Sequence, residues 1–85
     1  MPVTSAQLRM ARAALNWTVR DLAEATGLHR NTITNIEVGR YAGDPKTLEI
    51  IETVLRKAGV EFIDENGGGP GVRMRKRLRR KAPPD

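Results

Sequence analysis

The stretch "GLHRNTITNIEVG", Gly27 to Gly39, decides the fold of the chain. Ile33 and Ile36 lie three residues apart, as they would on one face of a helix. The positions around them carry hydrogen-bonding groups but little charge: His29, Arg30, Asn31, Thr32, Thr34 and Asn35. Asn and Thr are mediocre helix formers, whereas an ordinary solvent-facing surface is rich in Ala, Glu, Lys or Gln. The stretch therefore predicts a helix whose outer face forms hydrogen bonds with a ligand.

The residues upstream make this helix the second of a helix-turn-helix. Leu22 and Ala23 precede Gly27, and the small Ala23 lets two helices cross closely. Gly27 permits the tight turn between them, and Ile33 and Ile36 anchor the second helix on the first. An ordinary helical hairpin with a polar face is the alternative. It is disfavoured because three positional constraints coincide with an amide-rich surface.

The outward residues of this helix have the chemistry that reads base edges. Arg suits guanine, Asn suits adenine, and Thr suits a phosphate or the thymine methyl group. We therefore predict base contacts from four residues: Arg30, Asn31, Thr34 and Asn35.

Capping patterns predict three more helices. Thr4 with Gln7 and Thr18 with Asp21 have the spacing of capping boxes, and Trp17 and Leu22 have that of a hydrophobic staple. Asp44 before Pro45 starts the last helix. Its core stripe consists of Leu48, Ile51, Leu55 and Ala58.

The pattern changes from helix to strand after Gly59. "VEFI", residues 60–63, is rich in strand formers, and "VRMRKRLR", from residue 72, alternates apolar and basic side chains. These strands form either a hairpin or strands exchanged between subunits. We expect a mainly α fold of four, possibly five, helices followed by these short strands. The expected divisions are a DNA-binding domain at 1–59, a hairpin or dimerisation extension at 60–76, and a basic tail at 77–85.

The positive charge belongs to the end of the chain. The net charge is +5, yet residues 73–81 hold seven of the fifteen Lys and Arg, and residues 1–72 are nearly neutral. A basic run of this kind is typical of a solvated or nucleic-acid-contacting segment. We predict DNA contacts from four residues of the tail: Arg77, Arg79, Arg80 and Lys81. Arg73 and Arg75 are expected to face the acids Glu61, Asp64 and Glu65 instead.

Composition argues against several other classes of protein. The 85 residues include no Cys and a single His, so we expect no disulfide and no metal site. "NGGGPG" lacks a following Lys-Ser/Thr and is interpreted as a turn, not a nucleotide site. No signal peptide or membrane span is recognisable. We expect a cytoplasmic binding protein without cofactors or membrane association, and not an enzyme.

Residues 5–58 resemble the lambda-repressor-like, Cro/repressor (XRE) type of helix-turn-helix domain. The resemblance is carried by "NWTVRDLAEATGLHRNTITNIEVGR", 16–40, and "DPKTLEIIETVLRKAG", 44–59. Within the first, "TITNIEVG" matches the Thr-Ile-x-x-Ile-Glu-x-Gly motif of the family. The ending "AGVEFIDENGGGPGVRMRK" is similar to that of a subgroup of small bacterial regulators. The resemblance implies a bundle of four or five helices that binds operator double-stranded DNA, usually as a dimer.

The resemblance also implies roles for individual residues. Arg12 and Glu37 match a structural ion pair. Val19 stands where the family often has a phosphate-bridging Gln, and His29 replaces a capping Ser or Thr. Phosphate contacts are therefore expected from six residues: Thr18, Arg20, His29, Thr32, Arg40 and Tyr41.

Apolar residues beyond the needs of a four-helix core predict a homodimer. The expected interface consists of Ile50, Val54, Val60, Phe62, Val72 and Met74. These expectations describe a transcriptional regulator, most simply a repressor, that places its third helix in the major groove. The alternative is an antitoxin or adaptor whose C-terminal extension binds a protein partner.

Overall fold

The computed structural model describes residues 3–75, which form four helices and one hairpin. The helices are α1 (Ser5–Leu15), α2 (Val19–Thr26), α3 (Arg30–Glu37) and α4 (Pro45–Lys57). They are followed by two antiparallel strands, β1 (Val60–Ile63) and β2 (Gly71–Met74). The predicted fold class, a mainly α bundle with a short C-terminal hairpin, is confirmed.

Side-chain caps begin three of the four described helices. The Thr4 hydroxyl accepts the Gln7 N–H at 3.0 Å and the Gln7 side chain accepts the Thr4 N–H at 3.0 Å, so the predicted capping box is present. Thr18 and Asp21 form the same reciprocal pair on α2. Asp44 caps α4 by accepting the Thr47 N–H at 2.8 Å, with Pro45 in the first turn. These bonds satisfy N–H groups that have no partner within the helix.

The core lies where α1, α2, α3 and α4 converge. Eleven apolar residues are buried there: Val3, Leu8, Ala11, Leu22, Ala23, Ile33, Ile36, Leu48, Ile51, Leu55 and Val60. Gly27 ends α2 with a left-handed backbone, φ 77°, and so permits the turn into α3. Both helices of the helix-turn-helix pattern identified in the sequence therefore contribute to the core.

The hairpin covers the bundle of its own chain. Val60 pairs with Met74 and Phe62 pairs with Val72 across the two strands, so these side chains share one face. Val60 is completely buried, and Phe62 and Val72 pack against the core. In the structure the two strands pair with each other within one chain. Because Val60 has no exposed surface, the expectation that it exceeds the needs of the core is wrong, and its place in a dimer interface stays a prediction.

The outer face of the hairpin is polar. Glu61 pairs with Arg73 across the strands at 2.8 Å, as expected. Arg75, in contrast, donates to the main-chain carbonyl of Arg56 at 2.8 Å, and the expectation that it faces an acidic residue is wrong. The reason is positional: Arg75 follows the strand and lies beside the last turn of α4, where the negative end of the helix dipole attracts a cation.

A buried amide joins the hairpin to α1. Gln7 is 1% exposed, and its Nε2 donates to the carbonyls of Ile63 and Gly71, both at 3.0 Å. Those two residues are the last pair of the ladder before the loop. The Gln7 side chain thus caps α1 and fastens the loop end of the hairpin at the same time.

Candidate nucleic-acid interface

Two apolar anchors and one hydroxyl hold α3 against α2. Ile33 and Ile36 are 0% and 2% exposed and face the core. The Thr26 hydroxyl donates to the Leu22 carbonyl at 2.8 Å and accepts the Leu28 N–H at 3.2 Å. It thereby links the last turn of α2 to the chain that enters α3. No pattern in the sequence indicates this role of Thr26.

The opposite face of α3 carries the predicted base-reading residues. Arg30, Asn31 and Thr34 are exposed on it. Asn35 differs, because it is half-buried and its Oδ1 lies 3.5 Å from the Arg40 guanidinium. The Asn35 carbonyl also accepts the N–H groups of Arg40 and Tyr41, so this residue organises the loop after the helix. Within residues 3–75, the other three, Arg30, Asn31 and Thr34, thus point outward and make no such side-chain contact.

The start of α3 is open. His29 occupies the N-cap position, but its side chain makes no capping hydrogen bond. The first-turn N–H groups of a helix have no intrahelical partner and attract anions. His29 itself is exposed. This end of the helix can therefore accept a phosphate through both backbone and side chain.

The other predicted phosphate-contacting residues lie at the start of α2, within α3 and in the chain that follows α3. Thr18, Arg20, Arg40 and Tyr41 are exposed and Thr32 is half-buried. Arg20 lies 3.7 Å from Glu24, with both side chains more than 70% exposed, so this ion pair is weak and leaves the guanidinium available. Thr18 uses its hydroxyl oxygen to cap α2 and can still donate its proton.

Comparison with known protein families identifies the arrangement. The family model described as Helix-turn-helix matches residues 8–62, from the first turn of α1 to the middle of β1. The chain belongs to the XRE-type helix-turn-helix family. It is a DNA-binding transcription regulator of the lambda repressor/Cro-like type. No curated protein matches the sequence.

The XRE-type domain contains an ion pair between α1 and the end of α3. Arg12 Nε and Nη2 donate to the two carboxylate oxygens of Glu37 at 2.7 and 3.0 Å. The Glu37 hydrogen bond raises the pKa of Arg12, against the smaller lowering effect of partial burial. Arg12 Nη1 also donates to the carbonyl of Trp17, a residue that packs against the core. One side chain therefore connects three segments of the XRE-type fold.

Two further contacts of α1 with α3 were not predicted. The Ser5 hydroxyl donates to the Ile36 carbonyl at 2.7 Å, and Arg9 Nη1 donates to the Glu37 carbonyl. With Arg12, these residues are spaced four and three apart on α1. That spacing predicts that the three residues share one face of α1. No pattern in the sequence predicts that α3 ends beside that face.

Some predicted features lie outside the description or concern absences. Arg77, Arg79, Arg80 and Lys81 lie outside the described residues, so their DNA contacts stay a prediction. Between residues 3 and 75, no group of three or more potential metal-binding side chains is found. Over the same range, no helix is long and apolar enough to cross a membrane.

Proposed function

We propose that this XRE-type protein is a sequence-specific repressor that inserts α3 into the DNA major groove and acts by binding alone, without catalysis. One observation carries the proposal. The buried face of α3 is apolar, while its outer face displays Arg30, Asn31 and Thr34, which no residue between 3 and 75 buries. The width of the major groove admits a helix, and these groups match base edges.

The surroundings of α3 offer contacts for the DNA backbone near both of its ends. The open start at His29 and the exposed Arg20, Arg40 and Tyr41 give positions from which two DNA strands can be held. Phosphate contacts fix the register of a protein on the duplex, and base contacts then provide specificity. Occupancy of a promoter is enough to block transcription, so repression needs no further site.

We further propose that the protein binds as a homodimer, in the cytoplasm of a bacterial cell. A single domain of this kind covers a half-site, and paired half-sites lie ~34 Å apart. Ile50 and Met74 are 37% and 41% exposed and remain available to a second copy. Val54, Phe62 and Val72 pack against the core of their own chain and offer less surface.

The test begins with selection of binding sites from random-sequence duplex DNA by the wild-type protein. Asn31→Ala should then weaken the selected site by about 1–3 kcal/mol and relax the preference at particular positions. Arg20→Ala should lower the affinity for all sequences alike and reduce the slope of log affinity against log salt by ~0.9. Lys57→Ala, which removes a charge at the end of α4, is the matched control and should leave both properties unchanged.

Four outcomes would overturn parts of this proposal. Selection of no sequence would refute specific recognition. An Asn31→Ala protein with the wild-type site preference would show that the recognition face is wrongly assigned. A monomer at tens of micromolar on selected DNA, by sedimentation, would refute the dimer, and activation of a reporter from the selected site would refute repression.

A further inference from the structure

A polar stripe on α1 holds the C-terminal end of α3. We define this stripe as Ser5, Arg9 and Arg12. Ser5 donates to the Ile36 carbonyl, Arg9 donates to the Glu37 carbonyl, and Arg12 pairs with the Glu37 carboxylate. All three contacts fall on the last two residues of α3.

These contacts supply what α3 lacks in its own sequence. The last carbonyls of a helix have no intrahelical partner, and a cation near them is favourable. The last turn of α3 contains no basic residue. Arg9 therefore brings to this helix end, from a different helix, a positive charge and a donor that α3 does not carry itself.

The apolar contacts of α3 leave its orientation weakly defined. The helix has eight residues, and Ile33 and Ile36 are its only buried apolar side chains. Apolar packing is not directional, so two anchors permit small rotations of a short helix. Hydrogen bonds with fixed donor directions restrict those rotations, because they weaken steeply when misaligned.

We propose that Arg9, assisted by Ser5, is a positioning residue for base recognition: it touches no DNA but sets the angle at which α3 presents Arg30 and Asn31. This inference rests on the proposed insertion of α3 into the major groove. Base-edge hydrogen bonds need accurate geometry, whereas phosphate contacts through long side chains tolerate small rotations. Loss of the Arg9 contact should consequently reduce specific binding much more than non-specific binding.

The experiment uses the full chain and the DNA site selected by the wild-type protein, with scrambled DNA beside it. Arg9→Met keeps the apolar stem of the side chain but removes its charge and its donors. The substitution should reduce the affinity for the selected site by about 3- to 30-fold and leave the affinity for scrambled DNA unchanged. The salt slope should also stay unchanged. Arg9→Lys, which restores a donor, should recover part of the specificity, and Ser5→Ala should show a smaller loss of the same kind.

Folding and direct DNA contact are separated by two further readouts. Circular dichroism and urea unfolding must show that each variant is folded under the binding conditions; a loss of specific affinity that only follows the unfolded fraction would overturn the proposal. If Arg9→Met reduced the slope of log affinity against log salt by ~0.9 and lowered the affinity for all sequences alike, Arg9 would be identified as a phosphate contact. Wild-type specificity in Arg9→Met would refute the positioning role alone. Failure of the wild-type protein to select any sequence would refute the proposed function, and this inference with it.

Discussion

The two ends of α3 are built in opposite ways. At the C-terminal end, Ser5, Arg9 and Arg12 bind Ile36 and Glu37, and the Glu37 side chain is 7% exposed. At the N-terminal end, His29 makes no side-chain cap, and Arg30 and Asn31 are exposed. One end has its hydrogen-bonding groups satisfied by the protein, and the other presents them to its surroundings.

This difference shows how a short helix can be held in place by the protein and still be accessible to a ligand. A helix with both ends capped would offer a ligand only its outer side chains, and one with both ends open would be poorly held. The contrast with α1, α2 and α4, which all have side-chain caps, supports this interpretation. Four predictions test the contrast, in order of decreasing effect.

Neutralising the buried end of α3 should have the largest effect. Glu37→Gln keeps the shape of the side chain but leaves the Arg12 charge without its partner, so the free energy of unfolding should fall by about 2 kcal/mol. Urea unfolding measures this change. Glu24→Gln, in the exposed pair with Arg20, is the matched control and should change stability by less than about 0.5 kcal/mol. Equal effects of the two substitutions would show that the Arg12–Glu37 pair does not hold the helix end.

Removing a cap should matter on α1 but not on α3. Thr4→Ala removes one half of a capping box and should cost about 1 kcal/mol. His29→Ala removes no capping bond and should cost less than about 0.3 kcal/mol by the same measurement. If His29→Ala were as costly as Thr4→Ala, the start of α3 would not be open in the sense described.

Closing the open end should stabilise the protein. His29 has an extended backbone, φ −69° and ψ 143°, which suits an N-cap residue. His29→Ser can therefore accept an N–H of the first turn and should raise the free energy of unfolding by about 0.5 kcal/mol. Thermal unfolding would detect the gain. A loss of stability would mean that the imidazole makes a packing contribution that exceeds the cap.

The smallest expected effect is a change with pH at α4. Its cap, Asp44, has a lowered pKa, chiefly because the carboxylate accepts the N–H of Thr47. A lowered folded-state pKa means that the charged cap stabilises the fold above about pH 4, and that this contribution is lost as pH falls through the folded pKa. Urea unfolding between pH 2 and 6 should show a steeper loss for the wild type than for Asp44→Asn, which caps without titrating. If the free energies of unfolding of the two proteins changed in parallel with pH, the charged Asp44 carboxylate would not stabilise the start of α4.

Much of the fold was predictable because it depends on local rules. The caps at Thr4 and Thr18 follow from spacings of three residues, the cap at Asp44 from the proline after it, and Gly27 from the backbone of a turn. The outer face of α3 followed from the two isoleucines that define its inner face. Such features need no knowledge of how distant segments meet.

The errors arose where distant segments meet. The expectation that Val60 exceeds the needs of a four-helix core is wrong, because the sequence of a four-residue strand does not indicate which part of the protein it covers. In the structure it completes that core. Arg75 was paired with acids by charge alone, yet it binds a carbonyl at the end of α4. The roles of Ser5 and Arg9 likewise depend on where α3 ends relative to α1, which no local pattern specifies.

The attachment of Gln7 to both ends of the hairpin loop has a practical consequence. Its amide joins the carbonyls of Ile63 and Gly71, so the loop of residues 64–70 begins and ends at positions already held together. Lengthening a loop with fixed ends adds little closure entropy, about 0.6 kcal/mol per doubling. A fluorescent-label tag or affinity peptide inserted at Gly68 should therefore leave the bundle folded, which makes this loop the place to attach a reporter for following the regulator on DNA.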